Sequence, residues 1–224
     1  AFIALEDFEQ AEIFAKRALS IDKNLPGANH ALGVSYHKKN NLSDAMKSFK
    51  LELNINPQSS SSLKNIGVLL LKEGKVAAAL AALKESAAIH PSEECFFLLA
   101  QAYQKLGQIS DAISEYKKID LTQSANKLIP FNLGLCLLHI GCNLDAIDAF
   151  KIALSLDQTF VNAWGNLGSA LKTEGRLQEA LVATQKVIDL EPDNPLANYN
   201  LGLIYKNLGD FELALKATLK SVES

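Results

Sequence analysis

One spacing constrains this chain more than any other feature: an alanine recurs about every 34 residues. The successive intervals are 34 residues except once, where the interval is 33, and the column runs Ala11, Ala45, Ala79, Ala112, Ala146, Ala180 and Ala214. Five residues before most of these alanines lies a glycine (Gly74, Gly107, Gly141, Gly175 or Gly209), with Asn40 in that place once. A fixed period of this length indicates stacked supersecondary repeats. The period, rather than local propensity, therefore decides the fold.

Each period reads as two helices joined by a turn. Residues 164–175 place apolar side chains at helical spacing and end in a glycine, which readily adopts the left-handed conformation that terminates helices. Residues 177–192 form a second amphipathic run that ends in a proline. A further column of small residues lies seven positions before the turn glycine: Gly33, Gly67, Ala100, Gly134, Gly168 and Gly202. We expect these residues to lie where the two helices of a repeat cross closely.

Together these columns resemble the tetratricopeptide repeat (TPR). Repeat 161–194 supplies the residues that the TPR pattern prefers: Trp164, Leu167, Gly168, Gly175, Ala180 and Pro192. The resemblance covers the whole chain and implies an all-α, right-handed superhelical solenoid of helix-turn-helix repeats. We expect a single TPR domain over residues 1–224. It contains a partial repeat 1–25, the repeats 26–59, 60–92, 93–126, 127–160 and 161–194, and a truncated repeat 195–224.

Composition narrows the class of partner. The net charge of −3 argues against nucleic acid, whose phosphates require clustered Lys and Arg. The sequence has no run of 18 apolar residues, so we expect no membrane span. The three cysteines, Cys95, Cys136 and Cys142, include no CxxC pair and fit reduced thiols in the cytoplasm. We expect Cys136 and Cys142 to be buried small residues.

Residues typical of catalysis are not arranged for chemistry in this sequence. His30 and His37 are seven residues apart, whereas metal-binding histidines on a helix are usually four apart. The glycines follow the repeat rather than a phosphate-binding loop. We therefore expect no catalytic residues, no metal site and no cofactor, and interpret the chain as a non-enzyme.

The resemblance implies that the first helices of successive repeats line a concave groove. The sixth position of the repeats points into this groove and carries Asn65, Asn132, Asn166 and Asn200. An amide offers a donor and an acceptor side by side, so it can pair with the backbone of an extended peptide. This column resembles the TPR region of O-linked N-acetylglucosamine transferases, in which stacked asparagines hold the substrate backbone. Alternatively, the amides only bond to neighbouring helices, because Asn-Leu-Gly is common in TPRs.

A second group of groove residues is basic or aromatic. The basic residues lie near the ends of the first helices, and the ones we predict to bind a partner are Lys72, Lys105, Lys172 and Lys206. They favour an acidic partner segment, although cations at helix C-termini also interact with the helix dipole. Phe131 and Tyr199 are predicted to form apolar pockets for partner side chains.

These features predict a protein–protein interaction scaffold that binds a partner protein or an extended peptide in the groove. The alternative is the substrate-recognition arm of a larger enzyme, such as a protein glycosyltransferase, whose catalytic domain lies outside this segment. A third reading is self-association, because no polar capping helix closes either end.

Overall fold

The computed structural model describes residues 8–223, so residues 1–7 of the predicted partial repeat and Ser224 lie outside the described residues. The described chain forms thirteen α-helices and no strand. The helices are α1 (Phe8–Ile21), α2 (Ala28–Lys38), α3 (Leu42–Ile55), α4 (Ser60–Lys72), α5 (Val76–Ile89), α6 (Glu93–Lys105), α7 (Ile109–Tyr116), α8 (Leu128–His139), α9 (Asn143–Leu156), α10 (Val161–Thr173), α11 (Leu177–Leu190), α12 (Pro195–Leu208) and α13 (Phe211–Glu223).

Every predicted repeat from 26–59 onward contains two of these helices, which confirms the all-α helix-turn-helix fold. The chain divides into two compact units between Gln108 and Ile109. In the N-terminal unit, each of α1 to α5 packs against the helix that follows it. The same holds for α7 to α12 in the C-terminal unit. Each repeat is therefore stabilised mainly by its immediate neighbours.

The turn column has the backbone conformation that the glycines predicted. Gly74, Gly107, Gly141, Gly175 and Gly209 have φ angles of 72° to 84°. Asn40, which replaces glycine in this column, has a φ of 58° and is the one non-glycine residue with positive φ within residues 8–223. Asparagine tolerates this left-handed region better than most residues do. The substitution at Asn40 therefore preserves the turn.

In the column of small residues where the two helices cross, three glycines each face a large side chain that follows sixteen residues later. A Cβ atom built on Gly33 would lie 2.6 Å from Cε1 of Phe49, and one on Gly134 would lie 2.6 Å from Cε1 of Phe150. Gly67 has the same relation to Leu83, at 2.6 Å from its Cγ. The side chain of the second helix thus packs directly on the bare backbone of the first.

One departure from the TPR pattern caps a helix. Glu52 stands where the pattern prefers a small residue, and it is 1% exposed. Its carboxylate accepts hydrogen bonds from the backbone N–H groups of Gly27 (2.8 Å) and His30 (3.3 Å) at the start of α2. Gly27, the residue before α2, has no side chain to cap the helix. The second helix of this repeat therefore satisfies the free amides of the first.

The prediction for the cysteines was half correct. Cys95 and Cys136 are buried, but Cys142 is exposed, because it occupies the N-cap position of α9 in the turn between two helices. Residues at such turns face solvent rather than a helix interface. None of the helices in the described region is long and apolar enough to cross a membrane.

We predict that Gly134→Ala lowers the free energy of unfolding by about 1–3 kcal/mol, because the new methyl group overlaps the ring of Phe150. Gly165→Ala is the matched control, since a Cβ atom on Gly165 meets no atom within 4 Å. The control should be stabilised by about 0.5–1 kcal/mol, as expected for glycine to alanine within a helix. Denaturant unfolding followed by circular dichroism measures both, and equal stabilities would show that the crossing is not tightly packed.

Candidate functional site

We define the first-helix face as the side of the first helices that carries the sixth-position asparagines. The predicted asparagines lie on four of these helices: Asn65 on α4, Asn132 on α8, Asn166 on α10 and Asn200 on α12. All four side chains are half-buried. Asn65 belongs to the N-terminal unit, and the other three belong to the C-terminal unit. Their surroundings differ, and these differences decide what each amide can do.

Asn166 and Asn200 line one cavity. The cavity has a volume of about 300 Å³ and lies between α10, α11 and α12. Asn166 uses one N–H of its amide to donate to the backbone oxygen of Asn162 at 2.8 Å. Its carbonyl oxygen and second N–H therefore stay available to a ligand, because a primary amide has two donors and one acceptor oxygen. The periodicity predicted both residues, and the structure places them at one site.

The basic column meets the asparagine column at Asn200. Nζ of Lys172 donates to Oδ1 of Asn200 at 3.3 Å. This contact joins the last turn of α10 to the middle of α12, and it fixes the orientation of the Asn200 amide so that its NH₂ group is free to donate. A carboxylate placed beside Asn200 would therefore meet both an ammonium group and an amide N–H.

Asn132 is different because its amide bonds to a buried side chain of another helix. Its side chain forms a hydrogen bond with the hydroxyl of Tyr116, which is fully buried at the end of α7. Burial raises the pKa of Tyr116, the nearby Cys136 raises it further, and the hydrogen bond with Asn132 acts in the opposite direction. A buried hydroxyl needs a partner. This contact ties Asn132 to a neighbouring helix, which is the kind of contact that the alternative interpretation of the asparagine column expects.

The two predicted aromatic residues have different environments. The ring of Phe131 packs between Phe150 and Phe160, with centroid distances of 5.9 Å and 4.7 Å. Lys127 lies over the ring of Phe160, with Nζ 4.8 Å from the ring centroid, and forms an ion pair with Asp157. Phe131 thus belongs to a half-buried cluster that joins α8 to the start of α10. Tyr199, in contrast, is exposed on α12.

The predicted lysines all lie in the last turn of their helices, as the dipole interpretation requires. Lys105 and Lys206 are exposed at the ends of α6 and α12. Lys72 makes a specific contact: its Nζ lies 2.8 Å from Nε2 of His37 on α2. An ammonium group can donate to an imidazole nitrogen only when that nitrogen carries no proton. The pKa of His37 is accordingly lowered by burial, by Lys72 and by Lys38.

Sequence reasoning did not single out several residues that line the cavity. Asn162 and Ser169 lie on α10 at positions that the TPR pattern directs into the groove, so the same periodicity could have found them. Thr184 and Asn194 come from α11 and from the turn before α12, and no column marks them as site residues. Within residues 8–223, no group of three or more His, Cys, Asp or Glu side chains is placed to hold a metal ion.

Comparison with known families supports the repeat assignment. Models described as TPR repeat and tetratricopeptide repeat match residues 168–209 and 196–224. A model described as anaphase-promoting complex, cyclosome, subunit 3 matches residues 38–119. The matches lie in both compact units.

Among curated proteins, a peroxisomal targeting signal receptor from Candida albicans is 26% identical over 188 residues, covering 76% of this chain and 30% of the receptor. The receptor of the same name from Yarrowia lipolytica is 36% identical over 92 residues, covering 41% of this chain and 15% of the receptor. The chain therefore spans less than a third of the length of these two relatives.

Among solved structures, the MamA protein is 26% identical with a TM-score of 0.70, covering 75% of this chain and 92% of MamA. YrrB, described as a TPR protein with an unusual peptide-binding site, is 22% identical with a TM-score of 0.75, covering 80% of this chain and 92% of YrrB. At that identity the likeness to YrrB shows the fold alone. Both comparisons agree with helix-turn-helix repeats throughout the matched region.

We predict that Asp157→Asn lowers the melting temperature at pH 7. Hydrogen bonds from Lys127, and then from the side chain and backbone of Thr159, lower the pKa of Asp157 from 3.8 to about 2. A carboxyl group whose pKa falls on folding stabilises the protein above its unfolded pKa, and this contribution is lost as the pH falls from about 4 towards 2. The difference between variant and wild type should therefore shrink over that range. Asp189→Asn is the control, because its ion pair with Lys186 is long (3.8 Å) and exposed. A difference that does not depend on pH would contradict the assigned ion pair.

We also predict that His37 titrates below the ordinary histidine pKa of 6.5. Lys72→Gln should raise the pKa of His37, because it removes a nearby positive charge and the donor that requires a neutral imidazole. Lys105→Gln, which changes an exposed lysine in another repeat, should leave the pKa unchanged. Imidazole proton chemical shifts measured against pH by NMR test this. An equal shift in both variants would show a general charge effect rather than a specific contact.

Proposed function

This chain is a tetratricopeptide-repeat protein, and we propose that its first-helix face binds an extended segment of a partner protein. The observation that carries the proposal is the cavity shared by Asn166 and Asn200. Two amides on neighbouring first helices offer donors and acceptors toward one space. An extended backbone presents donors and acceptors at regular intervals, so this arrangement suits a peptide main chain rather than one particular side chain.

The spacing of the helices fits this mode of binding. Packed helices lie about 8–10 Å apart, and an extended chain advances about 3.3 Å per residue. Amides on adjacent first helices would therefore meet the bound chain about every third residue. Of the four predicted asparagines, we assign this role to Asn166 and Asn200, with Asn65 as a separate contact in the N-terminal unit. Asn132 is assigned to packing against Tyr116.

Acidic side chains in the partner would find matching charges on the same face. Lys172 lies against Asn200, and Lys206 is exposed at the end of α12. In the N-terminal unit, Lys72 and Lys105 occupy the corresponding helix ends. We infer that these lysines favour an acidic segment and increase its rate of association. Tyr199, exposed on α12, would contribute an aromatic contact.

The curated relatives support a role in peptide recognition, because they are named receptors for a targeting signal. We propose that this chain is a non-catalytic recognition module that binds protein rather than nucleic acid. A cytoplasmic setting is supported by its three cysteines, none of which forms a disulfide within residues 8–223. The enzyme-arm alternative finds no support in these relatives. A single domain over residues 1–224 and self-association through the terminal helices stay predictions.

We predict that the double variant Asn166→Ala/Asn200→Ala binds peptide more weakly by about 1–3 kcal/mol, since each lost hydrogen bond contributes about 0.5–1.5 kcal/mol. The ligand is an unstructured acidic peptide selected on the wild-type protein from a display library, and isothermal titration calorimetry measures its affinity. The melting temperature of the double variant should barely change, because both side chains lie on the accessible side of their helices.

Asn132→Ala is the matched control within the same column. It should leave the peptide affinity nearly unchanged but lower the free energy of unfolding by about 0.5–1.5 kcal/mol, because Tyr116 loses one hydrogen bond. Equal affinity of the double variant and the wild type would reduce Asn166 and Asn200 to packing residues. Raising the salt concentration should weaken the binding of the acidic peptide, and a salt-independent affinity would overturn the role of the lysines.

A further inference from the structure

An apolar groove in the C-terminal unit lies on the side of α10 opposite the asparagines. It is a groove of about 660 Å³ between α9 and α11, with α10 as its floor. Trp164, Leu167 and Leu171 of α10 line the floor, and Leu154 and Val182 line the walls. Because a helix turns by about 100° per residue, these floor residues and the pair Asn162 and Asn166 project from opposite sides of α10. The groove is therefore separate from the first-helix face.

The apolar side chain of Val182 is not required for packing within its repeat. Its side chain is 60% exposed. The equivalent position of the other second helices carries a polar, charged or small residue in five cases out of six: Lys47, Ala81, Ser114, Asp148 and Lys216, with Ile13 as the exception. An exposed valine at the edge of an apolar groove leaves apolar surface in water, which is a feature of interaction sites.

Trp164 gives the floor an aromatic surface. It is the only tryptophan in the chain. Its indole N–H donates to the backbone oxygen of Gln158 at 2.8 Å, so its one polar group is satisfied within the protein. What the half-buried ring offers to the groove is apolar surface. Aromatic rings held in this way are common anchors for binding.

The charges around the groove specify the chemistry of its occupant. Lys151 on α9 and Lys186 on α11 line opposite walls. Glu179 is the one acidic lining residue, and Arg176 binds both of its oxygens, at 2.7 Å and 2.6 Å. The nearest acidic partner of Lys186 is Asp189, at 3.8 Å. Lys151 also acts on Glu179 through its charge, but Arg176 already binds both oxygens of that carboxylate. The groove thus carries positive charge on both walls, and its one acidic lining residue is shared with Arg176.

We propose that this groove is a second interaction site, which binds a segment of a partner protein carrying large apolar side chains flanked by carboxylates. The apolar side chains lie on Trp164 and Val182, above the buried Leu167 and Leu171, and the carboxylates pair with Lys151 and Lys186. The aliphatic stems of the two lysines extend the apolar walls while their ammonium groups stay in water. The site is independent of the peptide binding proposed for the first-helix face, so one chain could hold two segments at once.

Intrinsic fluorescence tests the proposal directly, because emission above 300 nm on tryptophan-selective excitation comes from Trp164 alone. The probe is the blocked peptide acetyl-EELLEE-amide, which contains no tryptophan. Titration should give a saturable change in the emission of Trp164. The analogues acetyl-KKLLKK-amide and acetyl-EEAAEE-amide should bind on the order of tenfold more weakly or not at all, because the first reverses the charges and the second lacks the large apolar side chains.

Two variants separate the groove from the other face. Lys151→Gln/Lys186→Gln should weaken the binding of acetyl-EELLEE-amide by about tenfold, as expected for two exposed ion pairs. Val182→Asp should remove the saturable response without changing the melting temperature, because Val182 is exposed. Asn166→Ala/Asn200→Ala is the control and should give the wild-type titration. No saturable change up to low millimolar peptide, an equal response to acetyl-KKLLKK-amide, or a loss of response in the asparagine control would each overturn the proposal.

Discussion

The contact between a bare glycine on the first helix and a large side chain on the second determines how the helices of a repeat meet. In repeat 26–59 this contact joins Gly33 to Phe49, and in repeat 127–160 it joins Gly134 to Phe150. Without a Cβ atom on the glycine, the ring lies against the backbone of the first helix. The residue two positions before each glycine lies about 200° away from it around the helix. Its side chain therefore points away from the partner helix. The glycine thereby directs the asparagine column toward the open face.

A local change in this contact accounts for the cavity at the candidate site. In repeat 161–194 the second helix carries Thr184 where Phe150 stands in the repeat before it. Gly168 is therefore met by a hydroxyl group, with Oγ1 of Thr184 at 2.9 Å from a Cβ atom built there, instead of by a ring. The smaller side chain leaves space, and Thr184 lines the cavity together with Asn166 and Asn200. A departure from the TPR pattern thus produces the site at which two of its asparagines converge.

The positions of the lysines on their helices say more about the local charge of this protein than its net charge does. The overall charge is −3, yet each predicted lysine lies in the last turn of a first helix, where it interacts favourably with the helix dipole. The contact of Lys172 with Asn200 shows that a lysine placed for this reason also reaches a candidate ligand-binding amide. The contact of Lys72 with His37 brings two basic groups together, and it contributes to the lowered pKa of the imidazole. The side chains that we propose for partner recognition are therefore also placed to stabilise their helices.

The amino-acid sequence by itself determined the repeats, their two helices and the positive φ of the turn column, including Asn40, but not that of Gly27. It could do so because each repeat packs on its neighbours, so the same local requirements return with the period. The sequence also placed four asparagines at equivalent positions, but only the tertiary structure decided what surrounds each of them. Asn132 meets a buried hydroxyl from α7, whereas Asn166 and Asn200 meet a cavity. The groove floored by Trp164 likewise depends on which residues three helices bring together. A period records where a residue lies on its own helix, and hydrogen bonds and cavities depend on what the neighbouring helices place opposite it.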